Sequence, residues 1–231
     1  MKFYKAGEIP EVPNMYFVYG DGGTGKTSLF KQFKGKKLLF SFDKSTNPLR
    51  NQKDTDFMVV EEQDFPNIQQ LVVGFLQRAI KSGEYKAIAL DNVTSLQNLV
   101  LENIDNAAKD NRQNYQKLQL WFRQLATMLR ESDITIYATA HQVDNGTGGL
   151  TGAGRYGADM NEKTFNAFTS VFDFVGRLYV KDDQRWIDCD PESGNHGKNR
   201  IDGRKNFHAE ELIEPKEEQE TQEDKQEKGV A

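Results

Sequence analysis

The chain has 231 residues, of which 37% are hydrophobic and 28% are charged, and its formal net charge is −5. This length and apolar content suffice for one sizeable α/β domain. No apolar stretch could span a bilayer, and the N-terminus lacks the apolar region of a signal peptide. The single cysteine, Cys189, excludes an internal disulfide and a cysteine-based zinc site, so a cytoplasmic location is expected.

Short apolar runs alternate with amphipathic helices along most of the chain. Strands are predicted at residues 15–19, 37–42, 57–60, 87–90 and 134–140. Helices are predicted at residues 26–33, between Pro66 and Gly83, and at residues 95–109 and 115–130. Because such alternation favours parallel pairing through right-handed crossovers, the sequence predicts a doubly wound, mostly parallel α/β sheet.

The last third of the chain has a different character. Residues 143–163 contain six glycines, which predicts a mobile loop rather than a packed element. A helix at 165–172, a strand at 174–180 and its hairpin partner at 185–189 are expected to follow. Residues 214–231 hold seven acids and three lysines, so the rest of the chain is nearly neutral. We therefore predict a core at 1–212 and a disordered acidic tail at 213–231.

A glycine-rich loop follows the first predicted strand. The run from Gly20 to Thr27 matches the pattern Gly-x-x-x-x-Gly-Lys-Thr of a phosphate-binding loop in full. Its backbone N–H groups point at phosphates, Lys26 reaches the β- and γ-phosphates, and the Thr27 hydroxyl takes a magnesium position. ATP with Mg²⁺ is the expected ligand, and its predicted contacts are Gly20, Asp21, Gly22, Gly23, Thr24, Gly25, Lys26, Thr27 and Ser28.

Carboxylates follow other predicted strands. Asp91 ends the run Ala-Ile-Ala-Leu, which is typical of the acidic residue that holds magnesium through water. The next residue is Asn92, whereas many ATPase motors have their water-activating glutamate at that place. Asp43, after the second strand, is the best candidate for this role, and Glu61 and Glu62 are the alternatives.

Several nucleotide-binding classes are disfavoured because their motifs are missing. The sequence has neither the Asn-Lys-x-Asp motif of guanine-specific GTPases nor the Leu-Ser-Gly-Gly-Gln signature of transporter ATPases. A P-loop kinase would need an arginine-rich lid, and the glycine-rich segment offers only Arg155. These absences favour an ATPase over the other nucleotide-binding classes.

The motifs together resemble those of the RecA-like core ATPases. More closely, they are similar to the small phage P-loop nucleotide-binding proteins that include the Sak-type single-strand-annealing proteins. The resemblance is carried by residues 20–28, Asp43, Ile-Ala-Leu-Asp91, Ala-Thr-Ala-His-Gln142, residues 164–169 and residues 197–200. It covers the chain from about residue 15 to about residue 205 and implies a RecA-like core.

The resemblance implies roles for polar residues outside the phosphate loop. Gln142, next to His141, holds the place of a glutamine that contacts the γ-phosphate and leads into a DNA-binding loop. That loop would be residues 143–163. Within it, Arg155 and Tyr156 are the expected phosphate-contacting and base-stacking pair.

The resemblance also implies a contact between subunits. Lys198 and Arg200 are similar to basic residues that reach a neighbouring subunit's γ-phosphate, which would couple hydrolysis to assembly. Arg204 and Lys205 are equally placed alternatives. A homo-oligomer, either a ring or a filament, is therefore expected.

The leading hypothesis is a phage-type RecA-like ATPase in the cytoplasm of a bacterial host, which binds ATP, Mg²⁺ and single-stranded DNA in recombination or annealing. The second hypothesis is a nucleotide-binding helper, such as a helicase loader, which recruits a protein partner through its acidic tail. The third is a P-loop phosphotransferase.

Overall fold

The computed structural model describes residues 1–104, 107–146 and 155–215. The strands are β1 Met15–Gly20, β2 Lys37–Ser41, β3 Thr55–Val59, β4 Ala87–Asp91, β5 Thr135–Asp144, β6 Tyr156–Ala158, β7 Phe174–Lys181, β8 Gln184–Asp188, β9 Lys198–Asn199 and β10 Asn206–His208. The helices are α1 Lys26–Leu29, α2 Ile68–Ser82, α3 Val93–Glu102, α4 Asn111–Arg130 and α5 Glu162–Thr169. Within these ranges, no helix is long and apolar enough to cross a membrane.

The strands form one sheet in the order β10-β8-β7-β1-β5-β4-β2-β3. The six strands from β7 to β3 are parallel. Strands β8 and β10 extend the β7 edge in antiparallel fashion. Strand β5 therefore lies between β1, which leads into the glycine-rich loop, and β4, which ends in Asp91. The prediction of a doubly wound, mostly parallel sheet is confirmed.

The core lies on both faces of the sheet, as the burial of β1 illustrates. All six residues of β1 are buried, and alternate side chains point to opposite faces. Phe17 and Tyr19 belong to the cluster that includes residues of α2 to α5. Tyr16 and Val18 belong to the cluster on the other face, which is closed by residues from the α1 region and by Leu212 near the end of the described chain.

The first helix is shorter than predicted. The α-helical part ends at Leu29, and Phe30–Gln32 continue as a 3₁₀ turn. Phe30 and Phe33 both pack on the ring of Tyr137, with centroids 5.9 and 5.2 Å away. A 3₁₀ turn brings side chains three residues apart onto one side, so this packing replaces a further α-helical turn.

The prediction of a loop over residues 143–163 is partly wrong. Strand β5 continues through His141 and Gln142 to Asp144, and β6 pairs with its end in an antiparallel hairpin. Residues 147–154 lie outside the described residues, as do residues 216–231 of the predicted acidic tail. Leu212 is buried, and Ile213 packs against the same core cluster. The boundary between the core and the acidic tail at residue 212 stays a prediction.

Candidate active site

The glycine-rich loop adopts a conformation that requires several of its glycines. Gly23 and Gly25 have φ angles of 78° and 102°, in the region that favours glycine. A Cβ atom on Gly20 would lie 2.3 Å from the carbonyl oxygen of Leu178 in β7. A Cβ atom on Gly22 would meet nothing within 4 Å. The backbone therefore requires glycine at positions 20, 23 and 25. At position 22 the structure has room for a side chain.

Lys26 lies folded against this loop. Its side chain is buried, and Nζ donates hydrogen bonds to the carbonyl oxygens of Gly20 at 2.7 Å and Asp21 at 2.8 Å. Burial lowers the pKa of Lys26, and the neighbouring charge of Asp91 opposes this shift. Two neutral carbonyls compensate a buried ammonium only in part, so phosphate oxygens would be stronger partners for it.

Thr27 and Asp91 are in direct contact. The Thr27 hydroxyl donates to Asp91 Oδ2 at 2.7 Å, and the Thr139 hydroxyl of β5 donates to Asp91 Oδ1. Asp91 is 3% exposed, and burial raises its pKa, which the two hydroxyls oppose. A hydroxyl and a carboxylate provide the oxygen ligands that suit Mg²⁺. These two residues thus fit the ion that the phosphate loop implies.

Asp43 is held at the neighbouring strand end by two hydrogen bonds. Its Oδ2 accepts from Asn92 Nδ2 at 2.6 Å, and its Oδ1 accepts from the backbone N–H of Ser45 at 3.0 Å. Asn92 Nδ2 also lies 3.3 Å from Nε2 of His141. Asn92 Oδ1 caps α3 by accepting from Ser95 N–H at 2.9 Å. Asn92 therefore occupies the usual glutamate position as a support for Asp43.

These groups line a single cavity of about 450 Å³ at the carboxyl ends of the parallel strands, where open α/β sheets bind ligands. The lining residues are Gly22, Gly23, Gly25, Lys26, Thr27, Ser28, Asp43, Ser45, Asn47, Pro48, Asp91, Asn92, His141 and Arg185. Glu61 and Glu62, the alternatives to Asp43, do not line this cavity. Glu61 instead forms a capping box with Asp64 at the start of a 3₁₀ turn.

Gln142 lies beside the loop, inside β5 rather than after it. Its Nε2 donates to Asp21 Oδ2 at 3.2 Å, and its Oε1 accepts from Arg177 Nε at 2.6 Å. The guanidinium of Arg177 lies 3.4 Å from the centroid of the Tyr156 ring. A continuous set of contacts therefore joins the phosphate loop, through Gln142 and Arg177, to Tyr156 in β6.

Arg155 and Tyr156 differ in how they are held. The exposed Arg155 forms an ion pair with Asp144 at 3.0 Å, across the β5–β6 hairpin. Tyr156 is half-buried, with guanidinium groups of Arg155 and Arg177 near its ring. The hairpin therefore presents a basic and an aromatic group together, and residues 147–154, between its strands, lie outside the described part of the chain.

Lys198 and Arg200 lie away from this chain's phosphate cavity. They line another cavity of about 670 Å³, where Lys198 Nζ donates to the carbonyl of Thr169 at 2.9 Å. Burial lowers the pKa of Lys198 to about 8. The alternatives are held by nearby acids, since Arg204 pairs with Asp202 and Lys205 with Asp190.

Three residues that the fold brings to the site were not predicted to lie there. Thr139 reaches Asp91 because β5 lies next to β4. Arg177 reaches Gln142 from β7, and Arg185 reaches the phosphate loop from β8. Thr139 lies in the run Ala-Thr-Ala-His-Gln142 of β5, whereas β7 and β8 carry no recognisable motif. The strand order would have been needed to predict all three contacts.

The parallel sheet, the phosphate loop after β1 and Asp91 at the end of β4 together define a P-loop NTPase domain. The chain belongs to the AAA_24 family, described as an AAA domain, which matches residues 12–201. A comparison with curated proteins gave no match. Among solved structures, the chain is similar to a KaiC-like protein of the archaeon Pyrococcus horikoshii OT3, with 13% identity, a TM-score of 0.45 and coverage of 76% of this chain and 77% of that chain.

Proposed function

We propose that this protein is a RecA-like ATPase that binds ATP with Mg²⁺ and acts on single-stranded DNA in phage recombination or annealing. The observation that carries the proposal is that Lys26, Thr27, Asp91 and Asp43 line one cavity. This set combines a phosphate-binding cation, oxygen ligands for magnesium and a separate carboxylate. In the proposal, residues 1–212 form the catalytic core and residues 213–231 form the acidic tail, in the cytoplasm of a bacterial host.

In the proposed reaction, the backbone of residues 20–28 and the Lys26 ammonium bind the β- and γ-phosphates. Thr27 and Asp91 would hold Mg²⁺, which when bound neutralises charge on the phosphate oxygens. Asp43 accepts a proton from the attacking water, and the hydrogen bond from Asn92 orients its carboxylate. Gln142 contacts the γ-phosphate. To do so, its amide nitrogen donates to a phosphate oxygen in place of Asp21.

The contacts from Gln142 to Tyr156 support the proposed coupling to DNA. In the proposal the Gln142 amide turns from Asp21 toward the γ-phosphate, and this rotation also moves its oxygen relative to Arg177. Arg177 lies on the Tyr156 ring, so such a change reaches the hairpin that carries Arg155 and Tyr156. ATP binding would thereby alter the surface that contacts single-stranded DNA.

The proposal includes assembly into a homo-oligomer. Lys198 and Arg200 lie outside the chain's own phosphate cavity, which accords with action on a neighbouring subunit's γ-phosphate. A basic group supplied by a neighbour stabilises transition-state charge only after subunits associate. Hydrolysis is therefore expected to be slow in the monomer and faster in a ring or filament.

The DNA step is tested by the fluorescence anisotropy of a labelled single-stranded oligonucleotide, with and without ATP. We expect ATP-dependent binding that weakens steeply with salt, because phosphate contacts release counterions. Arg155→Ala and Tyr156→Ala should each weaken binding by about 1–3 kcal/mol for a stacking or phosphate contact. Arg112→Ala, at an exposed position of α4, is the matched control. The DNA step is refuted if no binding occurs at low salt with ATP.

One observation favours the helper hypothesis as the second candidate. Arg155 is already paired with Asp144, so binding DNA requires this ion pair to open. A helper would bind ATP in the phosphate cavity and a protein partner through residues 213–231. It would have no affinity for DNA. The same anisotropy experiment separates the two, since only the helper shows nucleotide binding without an oligonucleotide shift.

A further inference from the structure

One face of the antiparallel end of the sheet carries a row of aromatic side chains. Strands β7, β8 and β10 lie side by side there, and Tyr179, Trp186 and His208 are registered across them. These three residues, the aromatic row, are partly exposed. Residues beside them on the same strands point to the other face and are buried in the core, namely Leu178, Ile187 and Phe207. The solvent side of an antiparallel sheet is ordinarily polar, so a row of aromatic side chains there indicates a binding surface.

Contacts between side chains fix the aromatic row in place. The rings of Trp186 and His208 pack with their centroids 3.9 Å apart and 32° between their planes. The Tyr179 hydroxyl oxygen accepts a hydrogen bond from Asn206 Nδ2 at 3.0 Å. Because Asn206 lies on β10, the ring of Tyr179 crosses over β8 to reach it. The rings are therefore oriented before any ligand binds, which lowers the entropic cost of stacking on them.

The aromatic row is continuous with the hairpin that the proposed function assigns to DNA. The guanidinium of Arg177 lies 3.4 Å from the ring centroid of Tyr156 and 5.2 Å from that of Tyr179. Its Nε donates to the neutral amide of Gln142 at 2.6 Å, and no ion pair involves Arg177 among the described residues. A guanidinium beside two rings offers a nucleic acid both a plane for stacking and a positive charge. Arg177 therefore joins Tyr156 and the aromatic row into one surface.

We propose that the aromatic row and Arg177 bind bases of single-stranded DNA by stacking, as a continuation of the surface formed by Arg155 and Tyr156. The inference rests on the proposed function, because it assumes that single-stranded DNA reaches the β5–β6 hairpin. Aromatic rings on an open sheet face accept unpaired bases of any sequence, since every base has a face that can stack.

Stacking rather than charge is expected to provide the affinity of this part of the surface. The turn between β7 and β8 consists of two acidic residues, Asp182 and Asp183, which do not attract phosphates. Trp186→Ala should therefore weaken DNA binding without changing its salt dependence, because stacking releases no counterions. Arg155→Ala should by contrast lower the slope of log affinity against log salt by about 1, as expected for a phosphate contact.

Tryptophan fluorescence tests the contact directly. The chain has two tryptophans, so Trp121→Phe, with its fold verified by thermal unfolding, leaves Trp186 as the only reporter. With ATP and Mg²⁺ present, we expect an oligothymidylate to quench Trp186 over the concentration range that raises the anisotropy of the labelled strand. Trp186→Ala should bind the labelled strand about tenfold more weakly, and Trp186→Phe should keep most of the affinity. Phe75→Ala, which removes a partly exposed ring beside Arg78 on α2, is the matched control.

The outcomes distinguish this inference from the function on which it rests. If the labelled strand does not bind at all, the proposed action on DNA fails and the inference falls with it. If the strand binds but Trp186 is not quenched, or if Trp186→Ala binds like the parent, only the inference is overturned. Fluorescence of Trp186 that changes with protein concentration alone would mean that a second copy covers the row, which also overturns the inference. Quenching in Trp121→Phe leaves the row intact, so it decides the question even if Trp186→Ala is unstable.

Discussion

Asn92 joins the start of α3 to the candidate catalytic carboxylate, and its replacement should affect both. It is 2% exposed, accepts from Ser95 N–H at 2.9 Å and donates to Asp43 at 2.6 Å. Asn92→Ala loses an N-cap worth about 1 kcal/mol. It also loses a hydrogen bond to an exposed carboxylate, worth about 1 kcal/mol after allowance for solvent. For a chain of this size, we expect Tm to fall by about 4–8 °C.

Asn92→Asp separates the two contributions. Aspartate caps a helix as well as asparagine does, so the α3 cap is retained. Its carboxylate faces that of Asp43, and two like charges about 4 Å apart cost about 1 kcal/mol even in water. Adding Asp43→Asn restores a donor and an acceptor in reversed order. The double variant should therefore be more stable than the two single changes predict, by about 1–2 kcal/mol.

Urea unfolding of the parent, the two single variants and the double variant measures this coupling energy. The pair Asn111→Asp and Asp43→Asn is the control, because these positions lie in separate elements and their effects should add. Phosphate release is measured in parallel, and Asp43→Asn alone should lower it by about 10²–10⁴-fold if Asp43 is the general base. A coupling energy within about 0.5 kcal/mol of zero would refute the supporting role of Asn92.

Three further predictions concern the loop, the magnesium position and the subunit contact. Gly20→Ala should abolish nucleotide binding or lower Tm, since its Cβ would lie 2.3 Å from the Leu178 carbonyl, whereas Gly22→Ala should bind ATP like the parent in calorimetry. Thr27→Ala should weaken the Mg²⁺ dependence of ATP binding, and Thr27→Ser, which keeps the hydroxyl beside Asp91, should restore it. Lys198 has a pKa lowered to about 8, so its charge is lost as pH rises through that value; assembly-dependent phosphate release should fall between about pH 7 and 9. Lys198→Arg should remove this fall because arginine stays charged, and an unchanged pH profile in that variant would contradict the role.

The parallel core could be predicted from the sequence because its strands are apolar runs separated by polar residues, glycine and proline. Strand β1 and the loop after it were found by pattern alone, since the spacing of Gly20, Gly25 and Lys26 is specific. The β5–β6 hairpin was missed, because glycine content indicates a loop while pairing depends on long-range partners. Tyr156 is held there by Arg177 of β7, which lies 21 residues further along the sequence.

The chemical roles of the site residues were harder to predict from the sequence than the location of the site. Asp43 and Asp91 could be named because each follows an apolar run, and parallel strands bring their ends together. The role of Asn92 as a support for Asp43 could not be predicted without knowing that β2 pairs with β4. Arg185 lies in a segment with no motif, and only the packing of β8 brings it beside the phosphate loop.

The rate of phosphate release from ATP, with and without single-stranded DNA, tests the nucleotide site and the action on DNA together when the parent is compared with Lys26→Ala. We expect slow release by the parent, a clear increase with DNA, and loss of both in Lys26→Ala, whose fold is verified by thermal unfolding. Release that is unaffected by Lys26→Ala would contradict the proposed nucleotide site. Lys26-dependent release that DNA does not stimulate would contradict the proposed action on DNA.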